Sequence, residues 1–250
     1  MRPGILFIFL LFLFPIKLVA ISVSSALVLK KFPHDKDAFT QGLEYHEGIL
    51  YEGTGLWGSS ELRKVELETG RVIQSKLLAP KYFGEGITIF QDKVFQLTWK
   101  SGKGFVYDLD TFDLIREFSI PGEGWGLTNN GKNLILSNGS DQILFLDIES
   151  LQFIKSINVK KEGKPQYFLN ELEYVENEIW ANVWKTDQIL RINPSNGEVI
   201  GILDLSIISE TQSDEDVANG IAWDAQSNRI FVTGKFWNYI YQIEQITISE

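Results

Sequence analysis

Five segments of this chain repeat one shape, and a repeat of this length constrains the architecture more than any other feature. They are TQGLEYHEGILYEGTG from Thr40, GEGITIFQDKVFQLTW from Gly84, GWGLTNNGKNLILSNG from Gly124, LNELEYVENEIWANVW from Leu169 and ANGIAWDAQSNRIFVTGK from Ala218. Each opens on a polar or aromatic residue, usually followed by Gly and then Leu or Ile. A turn comes next, then an apolar run ending in Gly, Trp or Lys. Two further runs follow, such as QILFLDI and FIKSINV in the third copy, with apolar residues near the two-residue period of a strand. Turn signals such as Glu68-Thr69-Gly70 and Asn196-Gly197 separate them. The first position recurs at Gln41, Glu85, Trp125, Asn170 and Asn219. Four strands in about 45 residues make one propeller blade. The predicted fold is therefore all-β, a five-bladed β-propeller forming a single domain over residues 21–250. The fifth copy lacks a fourth strand. The strand-like run SVSSALVLKKF at Ser22–Phe32 is expected to supply it, closing the ring and removing open sheet edges.

The first twenty residues stand apart. Arg2, an apolar run from Ile5 to Phe14 and then Pro15 read as a secretory signal peptide, with cleavage after Ala20 or Ala26. The run is short of the roughly 20 residues that span a bilayer. The protein is thus expected to be exported, periplasmic or secreted, and free of the membrane once cleaved. A net charge of −10 with scattered Lys and Arg argues against nucleic acid or an anionic membrane as partner. The absence of Cys removes disulfides, thiolate metal sites and Cys nucleophiles. Two His, His34 and His46, cannot make a three-His metal site, and both are expected at the surface. Nothing calls for a stable oligomer, so a monomer is expected.

In a propeller the first strand of each blade lines the central channel. The Gly and aliphatic residue repeat in Gly42-Leu43, Gly86-Ile87, Gly126-Leu127 and Gly220-Ile221, which is what close approach of neighbouring blades requires. The residue before them does not repeat, and Glu171 replaces the Gly in the fourth copy. Five unlike side chains on one structural ring are the pattern of a grafted site. A second ring, about fourteen residues on, holds Gly55, Trp99, Asn138 or Gly139, Trp184 and Lys235. A tight turn would return it to the same channel mouth. Trp99 and Trp184 fit either inter-blade packing or a pocket wall. Gln41 and Asn170 fit either caps on channel backbone or ligand contacts. Lys235 fits a solvated lysine or a partner of Glu85. Glu85, between two glycines, gains little from packing. A carboxyl group walled by indoles has its pKa raised and can both take and give a proton near neutrality. Amides can donate to an oxygen that gains charge.

The motifs FTQGLEY, FGEGIT, LTW, GWGLT, NELEY, NVW, ANGIAW and VTGKFW, in this order, closely resemble the plant-type and bacterial glutaminyl-peptide cyclotransferases. The resemblance covers about residues 26–245. It implies a secreted five-bladed enzyme that converts the N-terminal glutamine of peptides or proteins to pyroglutamate with release of ammonia, with no cofactor and no catalytic metal. It implies that Glu85 is the acid/base, that Gln41, Asn170 and Lys235 hold or polarise the substrate carbonyls, and that Phe39, Phe83, Trp99, Trp125 and Trp184 form the wall. Glu171 is a candidate contact for an ion on the channel axis. Only the first residue of the substrate need enter, so the peptide beyond it is expected to matter little. Two other readings compete: a lactonase-type propeller hydrolase with an axial metal on Glu171, Asn170, Asn219 or Glu85, and a non-enzymatic binding propeller. Asn219 has no role in the first.

Overall fold

The computed structural model describes residues 21–209 and 217–247. The signal peptide expected over residues 1–20 lies outside them. The chain begins with one long strand, β1 (Ser22–Pro33). A first antiparallel sheet follows: β2 (Thr40–His46), β3 (Ile49–Thr54), β4 (Glu61–Glu66) and β5 (Arg71–Leu77). The second is β6 (Gly84–Phe90), β7 (Lys93–Thr98), β8 (Lys103–Asp108) and β9 (Leu114–Ser119). The third is β10 (Leu127–Asn129), β11 (Asn133–Ser137), β12 (Gln142–Asp147) and β13 (Phe153–Asn158). A two-residue ribbon, β14 (Lys160–Lys161) and β15 (Lys164–Pro165), leads to β16 (Leu169–Val175), β17 (Glu178–Val183), β18 (Gln188–Ile192) and β19 (Val199–Asp204). After the short helix α1 (Ser206–Ser209) come β20 (Ala218–Asp224), β21 (Arg229–Gly234) and β22 (Tyr239–Thr247).

The strands form where apolar residues alternate, and the turns where the backbone must reverse in two residues. Glu47-Gly48 and Glu176-Asn177 both take positive φ, the geometry that joins strands without splaying them. Burial falls from the inside outwards. In β6 six of seven residues are buried, whereas β9 buries only Phe118. The first strands β2, β6, β10, β16 and β20 each contact the next, and β20 returns to β2, so the circuit is closed. Apolar burial follows the same plan. Each of the five clusters draws on two neighbouring groups of strands, as where Leu43 and Leu50 meet Phe231 and Ile240.

Strand β1 pairs antiparallel with β22, from Ser24↔Thr247 to Pro33↔Tyr239. Its first residues also run parallel to β19, Ser22↔Gly201 to Ser25↔Asp204. The last two groups of strands therefore merge into one eight-stranded sheet, a junction that the repeat does not announce.

His34 departs from its expected surface position. Its side chain is only 2% exposed. Nδ1 lies 2.7 Å from the Trp237 carbonyl and Nε2 lies 2.9 Å from Glu52 Oε1. The Trp237 carbonyl can only accept, so Nδ1 carries a proton, and Nε2 faces the Glu52 carboxyl group. Burial alone would lower its pKa, but the charge and hydrogen bond of Glu52 outweigh it and hold the pKa above the ordinary value. Glu52 also accepts from Thr40 Oγ1 at 2.7 Å and is held below its ordinary range. The end of β1 is thereby fastened to β3 and to the loop before β22.

Candidate active site

The repeated first position is where the ladder between the first and second strands slips. The register shifts between Thr40 and Gly42, Gly84 and Ile87, Leu169 and Leu172, and Ala218 and Ile221. Gln41, Glu85, Asn170 and Asn219 thus sit in bulges, which leave a residue unpaired and re-aim its side chain. In the third unit Trp125 lies just ahead of β10, and its N–H donates to Ser137 O at 3.1 Å. The glycines beside these positions are needed for closeness. A Cβ on Gly42 would fall 2.5 Å from Ile87 N, and one on Gly86 would fall 2.5 Å from Leu127 N.

The second ring returns to the same mouth. The N–H groups of Gly55, Trp99, Trp184 and Lys235 donate to the carbonyls of Phe39, Phe83, Phe168 and Val217 at 2.8–3.1 Å. Each acceptor lies two residues before the first-ring residue. Gly55 leaves room for Phe39 and Phe83, and Gly139 leaves room for the Trp125 indole. The result is one cavity of about 290 Å³ lined by Phe39, Gln41, Leu56, Phe83, Glu85, Trp99, Trp125, Asn170, Trp184 and Lys235. All nine residues expected at the site face it, and Leu56 is added. Trp99 and Trp184 are wall residues. Phe83 meets Trp99 edge-on at 5.5 Å, and Trp125 meets Trp184 at 5.8 Å.

Glu85 is 3% exposed. Burial raises its pKa well above the ordinary value, the charge of Lys235 and the Gln41 hydrogen bond oppose this, and Glu123 adds to it. Burial brings Lys235 down to about 8, against the pull of Glu85. The Lys235 ammonium sits 4.5 Å from the Phe39 ring centroid. A carboxyl group whose pKa is raised and a lysine whose pKa is lowered therefore share one cavity.

Gln41 Nε2 donates to Glu85 Oε2 at 2.7 Å. Asn219 Nδ2 donates to Gln41 Oε1 at 3.1 Å and to Thr40 O at 2.9 Å. Asn219 does not line the cavity. It fixes which end of the Gln41 amide faces Glu85, a positioning role that its place in the repeat did not suggest.

Besides Leu56, two further residues escaped the sequence reading. One oxygen of Glu123 accepts both indole N–H groups, from Trp99 at 2.8 Å and Trp125 at 3.1 Å. Phe168 packs on Trp184 at 6.0 Å. Both occupy the register of Phe39 and Phe83, two positions ahead of the ring, so the repeat itself carries the signal for them.

Glu171 lies off the cavity. Its two oxygens accept from Leu43 N at 3.3 Å and Ile221 N at 2.9 Å, tying first strands across the axis. Further along, Glu44 and Glu173 line the opposite mouth. Burial raises Glu171 and Glu173 well above the ordinary value and Glu44 to about 7. Among the described residues no group of three or more His, Asp or Glu is placed to hold a metal ion.

Comparison with known proteins matches this arrangement to named relatives. Residues 15–245 match the family model described as glutamine cyclotransferase. The glutaminyl-peptide cyclotransferase of Arabidopsis thaliana is 42% identical over 224 residues, covering 87% of this chain and 70% of that protein. The solved glutaminyl cyclase of Myxococcus xanthus superposes with a TM-score of 0.87 at 31% identity, over 92% of this chain and all of that one. The WD40 β-propeller domain of Doa1 is similar in fold alone, with a TM-score of 0.50 at 12% identity over 81% of this chain and 62% of that one.

Proposed function

The chain belongs to the glutamine cyclotransferase family, and from that membership we propose that the Glu85 cavity is where an N-terminal glutamine closes on itself. The activity is that of a glutaminyl-peptide cyclotransferase, which acts on peptides with N-terminal glutamine. In the proposed mechanism the α-amine attacks the γ-carboxamide carbon. The new N–C bond forms as Glu85 takes the amine proton. The carbonyl oxygen becomes negative, and Lys235 with the Asn170 amide stabilises it. Glu85 then returns the proton to the departing nitrogen, the C–N bond breaks, and ammonia leaves with pyroglutamate behind. Amine and amide belong to one residue, so the pocket need only fold the side chain back and manage protons. Gln41, tied to Glu85 and aimed by Asn219, keeps the carboxyl group oriented. The indole and phenyl walls hold the aliphatic stem and exclude water.

The observation that carries this reading is a carboxyl group buried among indoles with its pKa held up. Glu85→Gln preserves shape and removes the proton carrier. Ammonia release from a Gln-Ala peptide should fall by about 10²–10⁴-fold while thermal melting is retained. A folded variant with full turnover would refute the assignment.

The five groups of strands are read as five blades of one propeller domain over residues 21–250, acting as a monomer, with residues 1–20 directing export to the periplasm or medium. Cleavage after Ala20 leaves β1 whole. Cleavage after Ala26 would remove Ser22–Ala26, which pair with both β19 and β22.

A further inference from the structure

The cavity mouth is not bare. Leu56 and Trp57 rise beside it on the loop between β3 and β4. Trp57 is 54% exposed, yet its indole contacts two rings of the cavity cluster, Phe83 at 5.6 Å and Trp99 at 6.5 Å. Five aromatic residues among those described are clearly exposed, and two of them, Trp57 and Phe168, pack on rings that line this cavity. Large apolar groups concentrated in water beside a pocket mark a binding surface rather than chance exposure.

The backbone supports the same conclusion. Leu56 has φ of +89°, a conformation unfavourable for a branched apolar side chain. It is held there by two donors to its carbonyl, Ser60 Oγ at 2.7 Å and Ser59 N at 3.2 Å. The consequence of this local strain is that Leu56 faces the cavity and Trp57 continues the Phe83–Trp99 surface outwards. Strain of this kind persists where the surrounding structure enforces it, and it gathers at ligand contacts.

The cavity accepts about one residue. A peptide whose first residue fills it must lay its second residue on the rim. We infer that Leu56, Trp57 and the outer edge of Trp99 form a second subsite, which takes a large apolar or aromatic side chain directly after the N-terminal glutamine. This rests on the cyclotransferase reading and replaces the expectation that the peptide beyond the first residue matters little. Burying such a side chain on Trp57 is worth about tenfold in affinity.

The test compares kcat/KM for Gln-Phe, Gln-Gly, Gln-Glu and Gln-Lys amides in the unaltered chain and in Trp57→Ala, Trp57→Phe and Phe168→Ala. The Gln-Phe to Gln-Gly ratio should be about ten, carried by KM. It should drop to about one in Trp57→Ala, recover in part in Trp57→Phe and survive in Phe168→Ala. A ratio near one in the unaltered chain overturns the subsite. So does a ratio lost in Phe168→Ala but kept in Trp57→Ala. If no glutaminyl peptide is turned over, the activity reading fails instead. Calorimetry with pyroglutamyl-Phe and pyroglutamyl-Gly amides then reads the subsite without chemistry: tenfold tighter binding of the Phe compound, abolished by Trp57→Ala, supports it, and equal binding overturns it.

Discussion

At the scale of the residue, the site depends on how a few charges influence one another. Glu123 is the clearest case, because it anchors two indoles and also pushes the Glu85 pKa upwards. Glu123→Gln keeps an acceptor oxygen for an indole and removes the charge. Glu85 should then ionise more readily, and the acid limb of the kcat/KM profile should move to lower pH. A limb that stays in place or moves upwards would show that Glu123 acts only as an anchor. Much of this was legible in the chain. Glu85 stood out because two glycines leave a carboxylate nothing to pack against, whereas the aromatic wall followed from the family resemblance, the repeat alone leaving Trp99 and Trp184 between packing and pocket. Glu123 did not, because a carboxylate in the third copy stands where Phe39 and Phe83 stand in the first two. Asn219 was found by position, but its purpose depends on a bond to Gln41, 178 residues away.

At the scale of the element, the bulge does the placing. A regular ladder would send alternate side chains to fixed faces, whereas each slipped register frees one position, and three of the four, Gln41, Glu85 and Asn170, face the mouth. The glycines that follow let neighbouring first strands close up. Gly126 is the tightest of these: a Cβ there would collide with the carbonyl oxygen of Asn170 and lie 2.8 Å from Glu171 Cα. Both obstacles are backbone, so they cannot swing aside. Gly126→Ala should cost about 1–3 kcal/mol and lower Tm by on the order of 5 °C. It should also raise KM, since Asn170 moves with its strand. An unchanged melting curve would mean that the sheets are looser than their spacing suggests. Strand identity was readable from alternation and turns, but the bulges were not. A register slip leaves the apolar pattern on both sides intact, and the third copy conceals that its strand starts only at Leu127.

At the scale of the molecule, buried carboxyl groups set the response to pH. Glu44, Glu85, Glu171 and Glu173 all have pKa values raised by burial, Glu44 to about 7, and His34 is raised as well. A raised folded pKa means that the native chain binds more protons than the unfolded one, so this contribution is complete below the unfolded pKa and fades as pH climbs through the folded value. Glu52 and Asp35 are lowered, and their contribution fades only as pH falls below the ordinary carboxyl range. Tm should therefore be higher near pH 5 than near pH 8, with the decline starting at about 4.5. Glu44→Gln should flatten the slope, and a Tm that rises across this window would contradict the burial of these acids. The same rise in pH ionises Glu85, so conditions that prime the proposed base also loosen the fold. None of this could be read from spacing. The His34 contact with Trp237 spans 203 residues, and β1 lies against β19 across 178 or more. That placement of β1 also has a consequence in time. The first described strand to leave the ribosome must wait for the last, β22, before its main neighbour exists. Lys235 arrives only just before that strand. A chain interrupted before Lys235 would lack its closing strand and the lysine of the cavity together, so the proposed catalysis can begin only once β22 has been made.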